Sequence, residues 1–189
     1  MKGLRNVLVA LVVVSLASAG VTLAGQSDKI FTTKTQDAWV YVNVDLARKR
    51  TKEGYIPLVV GVMNNSKNNV NLTRSSFKLI GPAGEEIPAA TVQEIREGYP
   101  KLDLDYRWLQ QVTPMRILGV RGVQFIPSHF YPGLYEGSSV VINTVQLGQR
   151  FFTADILYFK KPKGFTTGTL VFEVTAKGWE HPVRVSIRI

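Results

Sequence analysis

The two histidines are the first residues to test for chemistry, because a base that works near neutral pH is most often an imidazole. His129 lies in Ile126-Pro127-Ser128-His129-Phe130-Tyr131-Pro132-Gly133, and His181 in Trp179-Glu180-His181-Pro182. A Ser128–His129 pair would need its two side chains turned toward each other, and adjacent residues of an extended chain point to opposite sides. No Gly-x-Ser-x-Gly elbow is present. The expected role of His129 is therefore that of a loop residue. Asp103 with Asp105, and Glu85 with Glu86, are the candidate carboxylate pairs. A calcium loop needs several oxygen ligands around a glycine turn, a form that DLDYRW lacks, and acids in the first turn of a helix account for Asp103 and Asp105. The 189 residues include two His and no Cys, which excludes thiol nucleophiles, disulfides, Cys-ligated zinc, iron–sulfur clusters and a multi-His metal site within this chain. The expectation is no catalytic residue, no cofactor and no metal.

Surfaces are the remaining source of function. Arg48-Lys49-Arg50-x-Lys52 and Lys160-Lys161-Pro162-Lys163 each follow a predicted strand. At one end of a sandwich, Arg48, Lys49, Arg50, Lys160, Lys161 and Lys163 would form a basic patch for phospholipid head groups, lipopolysaccharide or acidic glycans. The competing reading is a set of solvated turns that keep edge strands from pairing. No stacking aromatics interleave the lysines, so nucleic acid is not an expected partner. A long insertion, about 95–135, concentrates aromatics and arginines. Tyr99, Arg107, Trp108, Phe130, Tyr131 and Tyr135 are its candidate binding residues, since Tyr, Trp and Arg dominate interface hot spots. A share of them is expected in the core, where aromatics carry much of the burial.

The compartment follows from the N-terminus. Lys2 and Arg5 precede an apolar run from Val7 to Leu16, and Ala17-Ser18-Ala19 supplies a small-x-small cleavage pattern. Residues 1–25 read as a signal peptide, or as an uncleaved anchor that would be the chain's own contact with a membrane. Ser15, Ser18, Gly20, Thr22 and Gly25 dilute the second half and favour cleavage. The rest, 26–189, is expected to be one domain in the periplasm or secreted. Setting Lys2 and Arg5 aside, 21 basic residues face 14 acidic ones, a net charge of +7. Without Cys, that domain must stand on its core alone, which a chain of this length can do.

The elements that must position these residues are mostly strands. WVYVNVDL (39–46) alternates, Ile56 to Met63 is apolar on both faces as a central strand would be, and Val183, Val185, Ile187 and Ile189 alternate with polar residues. Further strands are expected at 70–72, 77–80, about Ile87, 122–126, 140–145, 152–159 and 169–174. Asn64 to Asn69 and Gly81-Pro82-Ala83-Gly84 read as turns. One short helix is expected over Asp103–Gln111. Thr91-x-x-Glu94 matches a capping box, with an extended connection as the alternative. Eight or nine strands with frequent turns give an all-β fold, an antiparallel sandwich or barrel.

The stretch LVVGVMNNSKNNVNLTRSSFKLIGPAGEEI resembles an element of secreted bacterial immunoglobulin-like (telokin-like) domains of unknown function. There a V-x-V-x-N strand, a polar turn, a strand ending F-x-L and a glycine hairpin follow one another. Phe77-Lys78-Leu79, Gly81 to Gly84 and the later GTLVFEV (168–174) fit that order. The resemblance implies an immunoglobulin-like β-sandwich and no activity. Three functions remain open. The first is a non-catalytic cell-envelope module that binds a protein or an anionic envelope polymer through the insertion. The second is an enzyme acting on envelope glycans or lipids with His129 and a carboxylate from another loop. The third is a structural subunit assembling by edge-strand pairing of Val183–Ile189.

Overall fold

The computed structural model describes residues 28–111, 122–128, 130, 131 and 144–189. In chain order its elements are β1 (Ile30–Lys34), β2 (Ala38–Asn43), α1 (Asp45–Lys49), β3 (Tyr55–Asn64), β4 (Val70–Thr73), β5 (Phe77–Ile80), β6 (Glu86–Pro88), α2 (Val92–Gly98), α3 (Leu102–Gln111), β7 (Gln124–Phe125), β8 (Thr144–Leu147), β9 (Phe151–Lys160), β10 (Thr169–Val174) and β11 (Val183–Arg188). Five strands form one sheet in the order β1-β2-β3-β9-β7, four form a second in the order β11-β10-β5-β6, and β4 pairs with β8. All pairs are antiparallel except the two-residue β7, which runs parallel to β9. The two larger sheets pack face to face, so the fold is all-β.

The sequence YIPLVVGVMN explains why β3 is central: it is buried along nearly its whole length, on both faces. Pro57 is tolerated there for a local reason. Lys161 N–H donates to Gly54 C=O (2.9 Å), so even-numbered residues of β3 bond β9 and odd-numbered ones turn toward β2. The β2 ladder starts at Asn43 opposite Val59. Pro57 therefore lies beyond the end of β2, and its missing N–H breaks no ladder bond.

The inner faces meet in an apolar core. Val42, Val60 and Leu157 look toward Phe172, Leu79 and Val185, and the Phe159 and Phe172 rings meet edge to face at 6.2 Å. The other face of the five-stranded sheet carries Tyr41, Val59, Met63, Phe152, Ile156 and Tyr158, all buried. The segment through α2 covers part of it, with Tyr99 packed on Tyr158 at 5.0 Å and on Tyr55 at 6.1 Å. Phe125 sits against Phe152 at 5.9 Å and Tyr131 against Tyr158 at 5.6 Å. Polar clamps hold the periphery. Asn64 is fully buried; its amide donates to Asn68 C=O (2.7 Å) and Leu147 C=O (3.0 Å) while its Oδ1 accepts from Ser66 and Trp179. Asp105 of α3 accepts from Arg50 Nε and Nη2 (3.0 and 2.9 Å) and from the Tyr99 hydroxyl, which ties α3 to the turn after α1.

Several expectations need correction. The strand expected over 39–46 ends at Asn43, whose Oδ1 accepts the Asp45 N–H (2.9 Å) and turns the chain into α1. The Thr91 capping box does open a helix, α2: Thr91 Oγ1 accepts Glu94 N–H (3.2 Å) and Glu94 Oε2 accepts Thr91 N–H (2.8 Å). Three α-helices and a 3-10 turn at Arg74–Ser76, not one helix, and eleven strands, not eight or nine, occur among the described residues. The strand expected over 122–126 shortens to Gln124–Phe125, and of 140–145 only 144 and 145 are described, within β8. Asp105 is an ion-pair partner as well as a first-turn acid of α3.

Gly61 is where the sheet tolerates least change. The Tyr41 ring lies across it, and a Cβ built there falls 1.8 Å from Tyr41 Cε1. The ring is itself pinned by Phe152 at 6.1 Å. We predict that Gly61→Ala lowers stability by about 1–3 kcal/mol through overpacking, read as a lower urea midpoint at unchanged slope. An unchanged midpoint would show that Tyr41 moves freely.

Candidate functional site

The two seams of the sandwich differ. At one, β11 lies beside β1, and Arg48 Nη2 donates to Arg188 C=O (2.9 Å), covering the end of the β11 edge. At the other, Ala89 pairs antiparallel with Phe159, and Ala90 N–H donates to Tyr158 C=O (2.7 Å). Continuing that register would set Glu86 opposite Pro162. The next positions whose N–H groups would bond across this seam are Pro88 and then Pro162, and neither has an N–H, so the ladder stops and the strands fork. Glu86 is left with backbone groups directed into the fork: Gly81 N–H bonds Glu85 C=O and Ala89 N–H bonds Phe77 C=O, so the odd-numbered residues of β6 face β5 and Glu86 faces away.

The fork is a groove of about 580 Å³. Ile87, Pro88, Ala89, Ala90 and Pro162 give it a largely apolar lining, with Thr91, three glutamates and two lysines around it. Most of those charges are already engaged. Glu85 accepts from Ala83 N–H (3.0 Å), Glu86 pairs with Lys78 (2.6 Å), and Glu94 is the cap of α2. The two Thr91 hydrogen bonds hold the Glu94 carboxyl below its ordinary range, with Lys160 adding a weaker through-space pull. Lys161 Nζ donates to Thr51 C=O. Among the described residues, the exposed Lys160 has neither a hydrogen bond nor an ion pair through its ammonium group. The groove can therefore hold an apolar or extended segment with a carboxylate beside Lys160.

The residues singled out from sequence fall into three groups. Tyr99, Phe130 and Tyr131 are buried. Phe130 packs on Phe77 at 5.8 Å, and the Tyr131 hydroxyl donates to Ala90 C=O (2.9 Å), so these three rings build the core rather than a contact surface. Arg107 is exposed, Trp108 is half-buried under Lys49 (5.8 Å), and Tyr135 and His129 lie outside the described residues. The basic loops do come together at one end of the sandwich, through the Lys161–Gly54 and Lys161–Thr51 bonds. Arg48 pairs with Asp28 (3.2 Å), Lys49 with Asp45 (2.9 Å) and Arg50 with buried Asp105, so the first loop is largely neutralised, whereas Lys160 and Lys163 stay exposed. Sequence reading weighed Glu86 only as half of a carboxylate pair and Pro162 only as part of a basic loop, and passed over Ala89 and Ala90. The available signal was the proline inside the lysine cluster. His181 is exposed, beside a smaller recess of about 160 Å³ formed with Trp179, Glu180 and Thr175. Among the described residues no three His, Asp or Glu side chains converge in a cluster that could hold a metal.

Comparison with protein-family models, curated proteins and solved structures gives no significant match. The functional reading therefore rests on geometry.

One strongly shifted titratable group lies away from the groove. Asp155 of β9 lies opposite Val60, on the inner face, and accepts from Phe130 N–H (3.2 Å) and Ile156 N–H (2.8 Å). It thereby clamps the 124–131 segment to β9, helped by the Ser128 hydroxyl on Ala154 C=O (2.9 Å). The residue keeps partial exposure, but its carboxylate turns inward, and burial pushes it up to about 7 against the pull of those hydrogen bonds. A carboxyl raised in the folded state retains a proton that the unfolded chain has released. Its contribution to stability is therefore present at acid pH and lost as pH rises from the ordinary carboxyl value toward about 7. We predict that stability relative to Asp155→Asn falls between about pH 4 and about pH 7, measured as urea midpoints. A difference that is constant with pH would place Asp155 in the ordinary carboxylate range.

Proposed function

We propose that this protein is a non-catalytic, exported interaction module of the cell envelope that takes an extended segment of a partner protein into the groove between β6 and the end of β9. The observation that carries this reading is the fork itself, an apolar groove of about 580 Å³ with the Glu86 backbone groups open on one wall and an unpaired Lys160 on the other. The shortness of β6, three residues, and the proline that ends it, Pro88, are devices that blunt a sheet edge, so strand addition alone does not recommend the site. Its volume and apolar lining do, since ligand sites are concave, mostly apolar and supplied with few polar groups. Export rests on the charged start, apolar run and small-residue site of residues 1–25. An immunoglobulin-like (telokin-like) assignment is part of the proposal, supported by the succession of β3, the Asn-rich turn, Phe77–Leu79 and the Gly81–Gly84 hairpin.

The reading is tested with a photo-reactive phenylalanine analogue placed at Thr91 or Pro88 in the groove, with Ser186 on β11 as the control, in cells that produce the protein. The expected result is partner adducts at the groove positions that disappear on Ala89→Arg, while the thermal midpoint holds. Equal adducts at Ser186, or adducts indifferent to Ala89→Arg, would remove the groove from the reading.

A further inference from the structure

The charge of the chain is unevenly distributed over the fold. The ladder registers place the start of β1, the end of β2, the start of β3, the end of β9, the start of β10 and the end of β11 at the same end of the sandwich. The segments there, 28–30, 44–54, 160–168 and 188–189, carry nine basic side chains against three acidic ones. That excess of six accounts for most of the +7 of the chain after residue 25.

Ion pairing thins this cluster without removing it. Asp28, Asp45 and the more distant Asp105 take Arg48, Lys29 with Lys49, and Arg50. Lys52, Lys160, Lys163 and Arg188 are exposed, and their side chains make no ion pair among the described residues. They come from three segments at one end, the turn before β3, the end of β9 with the loop after it, and the end of β11, as a face rather than a pocket. The chain also enters the fold here. Asp28, the first described residue, is held by Arg48 at 3.2 Å, and the 27 residues before it contain the apolar run from Val7 to Leu16. The described chain thus enters the fold at the end that carries these four cations, which make no ion pair among the described residues.

We infer that this end is a docking face for an anionic bilayer surface, with Lys52, Lys160, Lys163 and Arg188 set against phospholipid head groups. Each Lys or Arg near such a surface shifts partitioning by roughly fivefold, so four acting together give an increase of roughly several hundredfold over a neutral bilayer. The attraction fades within a Debye length of about 8–10 Å at moderate salt, which confines it to this end. The opposite end presents Lys67 and Lys177 on exposed turns and serves as an internal reference.

The test uses the full chain with vesicles of phosphatidylcholine, alone or mixed with phosphatidylglycerol. Acetylation rates of individual lysines are read by mass spectrometry. The expected result is that Lys52, Lys160 and Lys163 react several-fold more slowly on phosphatidylglycerol vesicles, that Lys67 and Lys177 do not change, and that molar salt abolishes the difference. Lys52→Glu combined with Lys163→Glu should remove the slowing at Lys160. Equal rates on both vesicle types, or equal slowing at both ends, would overturn the proposal. Slowing by soluble dextran sulfate but not by phosphatidylglycerol would overturn the bilayer and assign the face to an anionic polymer. None of these readouts depends on the groove accepting a partner.

Discussion

The structure is organised by one constraint: the central strand β3 is buried on both faces. A strand with Val59, Gly61 and Met63 on one side and Leu58, Val60 and Val62 on the other cannot lie at the surface of a two-layer sandwich. The four-stranded sheet covers one side. The second side must be covered by something else, and the long segment between β6 and β9 supplies that cover, through Tyr99, Phe125 and Tyr131. Tyr99 and Tyr131 are buried because the sheet beneath them is apolar, while Phe125 keeps part of its surface in solvent. Tyr41 shows how tight the arrangement is: its ring occupies the space that a side chain at Gly61 would need.

This constraint also settles how much could be read from the sequence. The apolar run from Ile56 to Met63 was legible as a central strand, and so were the alternating β11 and the helix near Asp103, because each is a local pattern with a single physical cause. The length of β2 was not legible, because Val44 and Leu46 continue its alternation into α1 and remain buried there. The strand ends at a side-chain bond, Asn43 to Asp45 N–H, that periodicity does not register. The short β1, IFTTK, carries no alternation at all and exists by pairing with β2. For the candidate site the division is the same. The lysine cluster was visible in composition. That Arg50 would be neutralised by Asp105, 55 residues away, was not, because an ion pair of that kind is a property of tertiary contact.

Polar groups inside the fold act as fasteners for these long-range contacts. Asn64 joins the end of β3 to the 65–69 turn, to β8 and to Trp179, and uses both its donors and its acceptor to do so. Asp105, Arg50 and Tyr99 perform the same task for α3. Desolvation raises the Asp105 carboxyl above its ordinary value even though Tyr99 and Arg50 pull it down, and at Arg50 the hydrogen bond and charge of Asp105, together with Tyr99, outweigh desolvation and hold the guanidinium charged. Such a trio contributes little net stability against an apolar replacement, but removing one member leaves a buried charge uncompensated. Its effect is to fix where α3 lies.

The seams make the sharper argument for function. A sandwich of open sheets must manage its edges, and on the β11 side this chain does so with an arginine on the last carbonyl and alternating Arg184 and Arg188. On the β6 side it begins to zip the two sheets together at Ala89 and Phe159, then stops before the end of β9, where first Pro88 and then Pro162 lack the N–H that would carry the seam on. Residues with an N–H at those two positions would be free to extend the seam and close the fork. Proline holds it open, and the apolar walls exposed as a result are a cost in water that the fold's own core does not require. The groove and the cationic face share Lys160 and the loop behind it, so one short segment, 160–163, borders both surfaces. A partner in the groove and a charged surface at the end of the sandwich would compete for, or cooperate through, the same lysines.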